Sequence, residues 1–320
     1  MEENGLILHL QRLSTEDGPG IRTTVFFKGC PMHCVWCHNP ESISMTPQVQ
    51  WLENRCIGCD SCIPTCPDGC LRRDGASLVI DRTRCQGCGA CVGECPAGAL
   101  ELLGNRIPVT KLLSELLKDR AYYAASAGGV TLSGGEPAMQ ASFAAELLSA
   151  LKDAGVHTAL DTCGLCSPGV LARLWPLADL ILFDVKLLDP AAHLRWTGQS
   201  NAILLENLEW VATQMKSRAN GKQLWVRTPL IPGATDLREN VISIGAYLAD
   251  KLEDRLTRWE LCAFNNLCRD KYRRLDLQWN YQETPLLTQS ALDQIAAWAK
   301  SSGVDPERVF VTGAARVENT

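Results

Sequence analysis

Three cysteines lie close together near the N-terminus, Cys30, Cys34 and Cys37, in the spacing C-x3-C-x2-C. A closed zinc site or a fully ligated iron–sulfur cluster takes four protein ligands, whereas this motif supplies only three thiolates. The spacing and the missing fourth ligand therefore disfavour a zinc knuckle. They predict a [4Fe-4S] cluster in which one iron remains free to bind something other than protein.

Two further cysteine groups repeat one pattern, C-x2-C-x2-C-x3-C-P, which is the run of bacterial two-cluster ferredoxins. In that run, the fourth cysteine of each half binds the cluster of the other half. We therefore predict two clusters, one on Cys56, Cys59, Cys62 and Cys95 and the other on Cys85, Cys88, Cys91 and Cys66. Disulfides are the alternative, but these spacings are unusual for a disulfide scaffold and no N-terminal signal sequence is evident.

The composition is that of a soluble enzyme, with 320 residues, 46% hydrophobic and 21% charged, and a net charge of -5. This length suffices for one large domain with a small insert. The chain contains neither a long apolar run nor a basic stripe, so we expect no membrane and no nucleic-acid partner. Sixteen cysteines in a chain that we expect to be cytoplasmic favour metal binding over disulfides, under oxygen-poor conditions.

Short apolar runs alternate with segments of helical periodicity along the rest of the chain. The predicted strands are 23–28, 129–134, 157–162, 180–186, 224–230, 259–264 and 308–313, and the helical patterns cover 143–154, 202–216 and 241–252. Repeated strand and then helix predicts an α/β fold of parallel units with right-handed crossovers. In barrels of such units the chemistry lies at the C-terminal ends of the strands, where the polar motifs of this chain also fall.

Together these motifs resemble those of the radical S-adenosylmethionine (SAM) enzymes. STEDGPGIRTTVFFKGC leads into the first cysteine motif, and HNPE (38–41), SGGEP (133–137) and FDVK (183–186) follow in order. More narrowly, the chain resembles the glycyl-radical-enzyme activating enzymes over nearly its whole length. The resemblance implies a partial (β/α)6 barrel of residues 1–49 and 104–320, open on one side to admit a protein. It also implies a ferredoxin-like insert with two [4Fe-4S] clusters at residues 50–103, and so three clusters in total.

The resemblance also implies which residues bind SAM. The SAM amino and carboxylate groups would chelate the open iron, and one electron would release a 5′-deoxyadenosyl radical. Asp161 and Thr162, with Asp184 and Lys186, match the residues that hold the SAM carboxylate and a monovalent cation. The remaining implied contacts are Glu136 with the amino group, Gly134 and Gly135 by close backbone approach, Arg227 near the ribose and methionine, and Trp36 and His38 at the adenine.

One position departs from the family pattern. In CAFNNLCRDKY, Asn265 stands where activating enzymes usually have a histidine that contacts SAM. Asparagine forms hydrogen bonds but does not carry a proton near neutral pH, so the role of this position is open. Lys271 and Tyr272 keep the rest of the pattern, and Asn39 matches the family asparagine beside the site.

The implied substrate is a glycine on a partner glycyl-radical enzyme, whose Cα loses a hydrogen atom to the radical. Asp17 and Arg22, in DGPGIRT, are candidates for holding the glycine loop at the mouth of the barrel. Flavodoxin or ferredoxin is the implied electron donor, and the auxiliary clusters act either as a relay or as a structural docking module. We expect a monomer. The motifs do not reveal which enzyme is activated, although the insert is typical of activators other than the shorter pyruvate formate-lyase type.

Two other classes of function stay open from the sequence. A radical SAM enzyme that acts on a small molecule shares all SAM-site residues, and only DGPGIRT, HNPE and the place of the insert weigh against it. A ferredoxin-like electron carrier would not need SGGEP and FDVK. Cys163 and Cys166 form a C-x2-C beside the predicted pocket, and we interpret them as ordinary buried cysteines because no further ligand pair is evident.

Overall fold

Strands and helices alternate through most of the computed structural model, which describes residues 4–217 and 221–317. The strands are β1 Asn4–Ser14, β2 Arg22–Phe27, β3 Gln48–Trp51, β4 Leu71–Asp74, β5 Ser77–Ile80, β6 Leu100–Leu103, β7 Asn105–Pro108, β8 Gly129–Gly134, β9 His157–Thr162, β10 Leu180–Asp184, β11 Gln223–Leu230, β12 Arg258–Ala263 and β13 Val309–Thr312. The α-helices are α1 Cys62–Thr65, α2 Ala90–Gly93, α3 Val109–Leu117, α4 Arg120–Ser126, α5 Ala141–Asp153, α6 Pro168–Leu174, α7 Pro190–Thr197, α8 Ala202–Ser217, α9 Arg238–Lys251, α10 Arg269–Arg274 and α11 Gln289–Lys300.

One nine-stranded sheet forms the framework, in the order β13-β12-β11-β10-β9-β8-β2-β1-β7. From β2 to β13, each neighbouring pair is parallel. These seven strands are the seven predicted from the apolar runs, so the α/β class with a mostly parallel sheet is confirmed. The sequence does not predict β1 and β7, which extend the sheet antiparallel beyond β2.

The central strand β10 shows why such apolar runs become strands buried on both faces. Ile181 and Phe183 belong to the main core, whereas Leu180 and Leu182 belong to a smaller apolar cluster with Ala159. Because successive side chains of a strand point to opposite faces, a continuous apolar run suits a parallel strand that is covered on both sides. The run ends at Asp184, where the chain leaves the core and the polar site begins.

The segment that connects β2 to β8 contains two small antiparallel sheets, β3 with β6 and β4 with β5, together with α1 and α2. Its buried apolar side chains form a cluster separate from the main core, which includes Val49, Leu78 and Leu100. Arg82 ties this segment to the end of α10, because its guanidinium donates to the carbonyl oxygen of Arg274 at 2.6 Å and to Asp276 at 2.8 Å.

None of the helices in residues 4–217 and 221–317 is both long enough and apolar enough to cross a lipid bilayer.

Arg22 is one prediction that the structure overturns. Its side chain is fully buried at the start of β2 rather than at the mouth of the site. The guanidinium donates to Thr131 Oγ1 at 2.7 Å, to the carbonyl oxygen of Val130 at 2.8 Å and to that of Pro19 at 3.2 Å. Burial lowers the pKa of Arg22 to about 10. A side chain engaged in this way joins β2 to β8 and cannot hold a substrate loop.

We expect Arg22→Ala to destabilise the metal-free protein by about 3 kcal/mol, since it leaves a cavity and buried acceptors without a donor. The midpoint of thermal unfolding should fall by several degrees. Arg106→Ala, on the exposed edge strand β7, is the matched control and should change the midpoint little. An Arg22→Ala midpoint equal to that of the control would contradict the structural role.

Candidate functional site

A cavity of about 430 Å³ opens at the C-terminal ends of the parallel strands. Nearly all of the predicted SAM-site residues line it, although they come from six stretches of chain that are far apart in sequence. The predicted residues in its wall are Cys30, Cys34, Trp36, Cys37, His38, Gly134, Gly135, Asp161, Thr162, Asp184, Lys186, Arg227 and Asn265. Only Glu136 among the predicted SAM contacts is not in the wall.

The loop that carries Cys30, Cys34 and Cys37 has little regular structure and is held by backbone hydrogen bonds. Cys30 N donates to the carbonyl oxygen of Ile43 at 3.0 Å, and Val35 N donates to that of Trp196, at the end of α7, at 3.1 Å. All three cysteines line the cavity. Burial raises the pKa of each thiol, to about 12 for Cys30. These thiols therefore favour the protonated form in the metal-free protein and need a bound cation to become thiolates.

The SGGEP turn shows why two glycines stand at the end of β8, Gly134 as its last residue and Gly135 directly after it. Gly134 has a φ of +99°, which residues with a side chain rarely adopt. A Cβ atom on Gly135 would lie only 2.2 Å from the carbonyl oxygen of Gly29, just before the first cluster cysteine. The glycines thus allow the β8 turn and the cysteine loop to pack backbone against backbone.

Glu136 lies behind the cavity wall, with no exposed surface. Its Oε2 accepts a hydrogen bond from Cys163 N at 2.7 Å, while Oε1 accepts from Ala138 N at 3.0 Å and from Thr162 Oγ1 at 2.9 Å. Burial raises the pKa of Glu136 despite these donors. The carboxylate therefore ties the β8 turn to the end of β9. Its predicted contact with the SAM amino group stays a prediction.

Arg227, on β11, lies among several acidic groups. Its guanidinium is 3.5 Å from Asp161 Oδ2, 3.4 Å from Glu260 Oε2 and 4.0 Å from Asp17 Oδ1. Burial opposes its charge, but the surrounding carboxylates raise the pKa of Arg227 well above its ordinary value. Arg258 also pairs with Glu260, at 2.8 Å from its Oε1, so three carboxylates lie around two cations and this side of the cavity carries at most a small excess of negative charge.

Asp161 also accepts a hydrogen bond from Ser133 Oγ at 2.5 Å. Burial raises the pKa of Asp161 to about 7, while Arg227 acts in the opposite direction. At the next strand end, the Lys186 ammonium donates to Asp184 Oδ2. Burial disfavours the charge of Lys186, but the adjacent Asp184 carboxylate raises its pKa, so the lysine stays cationic. The wall therefore offers both a fixed cation and hard oxygen atoms.

Trp36, His38 and Phe264 form an aromatic part of the cavity wall, and further rings pack against it. The His38 ring lies 6.2 Å from that of Phe264 and 6.4 Å from that of Trp279, and the Trp279 ring stacks on Tyr272 at 5.1 Å. Burial lowers the pKa of His38, and its Nε2 has no hydrogen-bond partner within the described residues. A neutral ring with a free nitrogen, beside Trp36 in the same cavity wall, suits a flat heteroaromatic ligand.

The CAFNNLCRDKY segment fixes the cysteine loop from the other side. Lys271 Nζ lies 2.7 Å from both Asn39 Oδ1 and Glu41 Oε1, and Tyr272 donates to the carbonyl oxygen of Cys37 at 2.8 Å. Asn265 lines the cavity, while its Oδ1 accepts a hydrogen bond from Leu267 N at 3.2 Å. The asparagine thus shapes its own loop and leaves its amide NH₂ group for the cavity.

The eight cysteines of the repeated pattern line two further cavities. Cys56, Cys59, Cys62 and Cys95 line one, and Cys66, Cys85, Cys88 and Cys91 line the other. Within the described residues, no three His, Cys, Asp or Glu side chains converge closely enough for a single metal ion.

Sequence reasoning missed several residues of the main cavity. Glu16, Cys262 and Phe264 line it, and Glu260 lies behind Arg227. Trp279 reaches the aromatic wall from a segment without regular structure. Glu260 and Cys262 lie on one face of β12, and this alternation is the sequence signal that could have identified these two residues. Of the C-x2-C pair, Cys163 lines the cavity and Cys166 does not.

We expect Lys271→Met to destabilise the protein by about 2 kcal/mol, because it leaves the buried Glu41 carboxylate without its cation. The cysteine loop should loosen, so the reconstituted protein should hold less iron. The double variant Lys271→Met with Glu41→Gln should recover most of both losses. The midpoint of thermal unfolding measures the stability of each variant, and iron per chain measures its cluster content. Lys111→Met, at an exposed lysine, is the control. Equal losses in the single and double variants would refute a pairwise interaction.

The raised pKa of Asp161 predicts a pH-dependent effect on stability. The unfolded state loses this proton above about pH 4 and the folded state only near pH 7, so the contribution to stability is lost progressively as pH rises from about 4 to about 7. Asp161→Asn should therefore raise the thermal midpoint of the metal-free protein at pH 8 and change it little at about pH 4, while weakening SAM binding. Asp153→Asn, on the exposed face of α5, should show no such trend. A gain independent of pH would contradict the prediction.

Comparison with known proteins agrees with this geometry. Residues 24–243 match the model of the radical SAM superfamily. A trans-4-hydroxy-L-proline dehydratase activating enzyme of Clostridioides difficile is 38% identical over 91% of this chain and 95% of its own. A choline trimethylamine-lyase activating enzyme of Oleidesulfovibrio alaskensis is 35% identical over 93% and 95%. A benzylsuccinate synthase activating enzyme of Thauera aromatica is 39% identical over 88% and 86%.

These matches decide among the three classes of function. The superfamily match extends far beyond the cysteine-rich segment, which a ferredoxin-like carrier would not need. The relatives are activating enzymes and they align with nearly the whole chain, which does not favour an enzyme acting on a small molecule. The chain belongs to the glycyl-radical-enzyme activating enzymes of the radical SAM superfamily.

Proposed function

We propose that this activating enzyme carries three [4Fe-4S] clusters. The first would be held by Cys30, Cys34 and Cys37, and the other two by the eight cysteines of residues 56–95 in the crossed arrangement. The grouping of these cysteines around three separate cavities supports the proposal. Residues 50–103 would then be a ferredoxin-like insert in a partial (β/α)6 barrel formed by residues 1–49 and 104–320.

The chemistry of the family is the reductive cleavage of SAM at the [4Fe-4S] cluster, which supplies a 5′-deoxyadenosyl radical that takes a hydrogen atom from a glycine Cα of the partner enzyme. This chain contributes placement rather than an acid, a base or a nucleophile. Cys30, Cys34 and Cys37 would hold the cluster as three thiolates and would leave its fourth iron for SAM. The partner glycine has no side chain to hinder its approach.

The charged wall would orient the methionine part of SAM. Lys186 would donate a charge-assisted hydrogen bond to the carboxylate, while Asp161, Thr162 and Asp184 would share a monovalent cation with it. The carboxylates around Arg227 would favour the amino group and the sulfonium. Trp36 and His38 would contact the adenine, and His38 Nε2 would gain a partner there. Asn265 would offer a neutral amide donor in place of the usual histidine.

The partner would be a glycyl-radical enzyme, met transiently by a monomeric activator in the cytoplasm, with flavodoxin or ferredoxin as the electron donor. The three relatives differ in the enzyme that they activate, although their identities to this chain lie within 35–39%. Overall similarity therefore does not select one partner. We propose a partner outside the pyruvate formate-lyase type, because this chain has the cysteine-rich segment and the relatives are named for other reactions.

The test is anaerobic reconstitution, reduction with SAM present, and measurement of 5′-deoxyadenosine together with glycyl-radical EPR in candidate partners encoded by the same genome. We expect deoxyadenosine, and a glycyl doublet with one partner. Deoxyadenosine with no doublet in any candidate would point to another substrate. No deoxyadenosine from a protein with full iron content would overturn the proposal.

Cysteine variants separate the three sites. We expect about twelve irons per chain in the unaltered protein and about eight in Cys34→Ala, which should lose all SAM cleavage. Cys59→Ala and Cys88→Ala should each lose up to about four irons but keep cleavage when a strong chemical reductant replaces the physiological donor. Cys166→Ala, outside all three cavities, is the control. Unchanged iron content in Cys59→Ala and Cys88→Ala would remove the auxiliary clusters from the proposal.

A further inference from the structure

The cysteine-rich segment is an internal repeat of 29 residues whose two halves have nearly the same backbone. Cys70 N donates to Cys66 Sγ at 3.3 Å, and the equivalent Ala99 N donates to Cys95 Sγ at 3.2 Å. Gly69 and Gly98, also equivalent, have φ values of +57° and +58°. Because the main-chain donors to the sulfur atoms are matched, a difference between the two cavities must come from side chains.

Arg73 is the largest such difference. Its guanidinium nitrogens lie 3.9 and 4.0 Å from Cys56 Sγ, and its Nε donates to Asp60 Oδ1 at 2.8 Å. Twenty-nine residues later, Leu102 and Gly89 stand at the equivalent positions. Leu102 lies beside Gly89, since a Cβ atom there would be 3.4 Å from Leu102 Cδ2. The first half thus has an Arg73–Asp60 ion pair, with its cation toward Cys56, where the second half has an apolar contact.

The backbone conformation of Asp60 indicates that its ion pair with Arg73 is kept at a cost in free energy. It has a φ of +58°, where the equivalent Gly89 has +79°. A left-handed conformation costs free energy for any residue with a side chain, although aspartate tolerates it better than most. The aspartate is nevertheless kept, and it fixes Arg73 against the cysteine. Its carboxylate is 48% exposed and Arg73 only 20%, so solvent screens the negative charge more than the positive one.

Two further donors belong to the same cavity. Ser61 Oγ donates to Cys59 Sγ at 3.5 Å, where the equivalent residue is Ala90. Trp51 lines the cavity, and its Nε1 is buried without a hydrogen-bond partner in the described part of the chain. The equivalent position in the repeat is Ile80, which lines the other cavity. Each side-chain donor beside the first set of cysteines therefore has an apolar counterpart in the second half. Gln86, which lines the second cavity where the first has Ile57, donates instead to the carbonyl oxygen of Arg84 at 3.2 Å.

We infer that Arg73 is a positioning residue that makes the two auxiliary clusters unequal, with the higher reduction potential at the cluster of Cys56, Cys59, Cys62 and Cys95. Reduction adds one electron to a cluster, and hydrogen-bond donors and nearby positive charge stabilise the added charge. An insert with a single electron would hold it on that cluster. This inference rests on the proposed function, because it requires both auxiliary clusters.

The test is an EPR-monitored redox titration of the reconstituted full-length chain with Cys30, Cys34 and Cys37 changed to Ala, so that only the auxiliary clusters contribute. The unaltered insert should show two separate couples. Arg73→Leu, which copies Leu102, should lower the reduction equilibrium constant of the higher couple about tenfold, or about 59 mV for one electron. Arg72→Leu is the matched control, because Arg72 is 65% exposed and pairs with Asp74 instead.

A gain-of-function variant covers the case in which Arg73→Leu fails to bind its cluster. Gly89→Asp with Leu102→Arg transfers the Arg–Asp ion pair to the second half. It should raise the lower of the two reduction potentials and leave the higher one unchanged. Two equal couples in the unaltered insert, or no shift in either variant with about eight irons bound, would overturn the inference. Fewer than about eight irons in the unaltered insert would instead refute the proposed auxiliary clusters themselves.

Discussion

The whole site depends on the placement of the cysteine loop, residues 30–37, whose conformation is fixed by contacts with other parts of the fold. The segment from Cys30 to Cys37 has little regular structure, so its backbone groups must find partners elsewhere in the fold. They find them in Ile43, in the end of α7 and in Tyr272. Contact with Gly135 leaves no room for a side chain between this loop and the β8 turn. The three thiols therefore face the cavity because of contacts made by four distant stretches of chain.

Charge inside the cavity is arranged by pairs that cost stability. Arg227 and Lys186 remain cationic only because carboxylates lie beside them, and Asp161 has a raised pKa because burial penalises its charge. A protein selected for stability alone would not gather three carboxylates around Arg227 beside a separate Lys186–Asp184 pair. The arrangement makes sense when a ligand with both positive and negative groups completes it. Binding of such a ligand would offset the unfavourable burial of these charges, which the folded protein alone does not compensate.

Seven strands of the sheet could be predicted from the sequence because each is an apolar run that ends in a polar motif. The site residues at those strand ends were implied by the resemblance to the activating enzymes, and the strand pattern explains only why they come together, since parallel strands bring their carboxyl ends to one edge. Arg22 could not be placed, because a charged residue in a turn-like sequence gives no sign that its acceptors lie on a neighbouring strand. Trp279 and the hydrogen bonds of Glu136 depend on packing between distant segments, which periodicity does not encode.

The pairing of β3 with β6 has a topological consequence. Gln48 pairs directly with Leu103, so the chain enters and leaves the cysteine-rich segment at neighbouring points. A module with adjacent ends imposes little loop-closure entropy on its host, whatever its length. The parallel pairing of β2 with β8 therefore does not depend on the length of the segment inserted between them. Such a junction lets evolution exchange, lengthen or delete the cysteine-rich segment without shifting the register of the strands that carry the site.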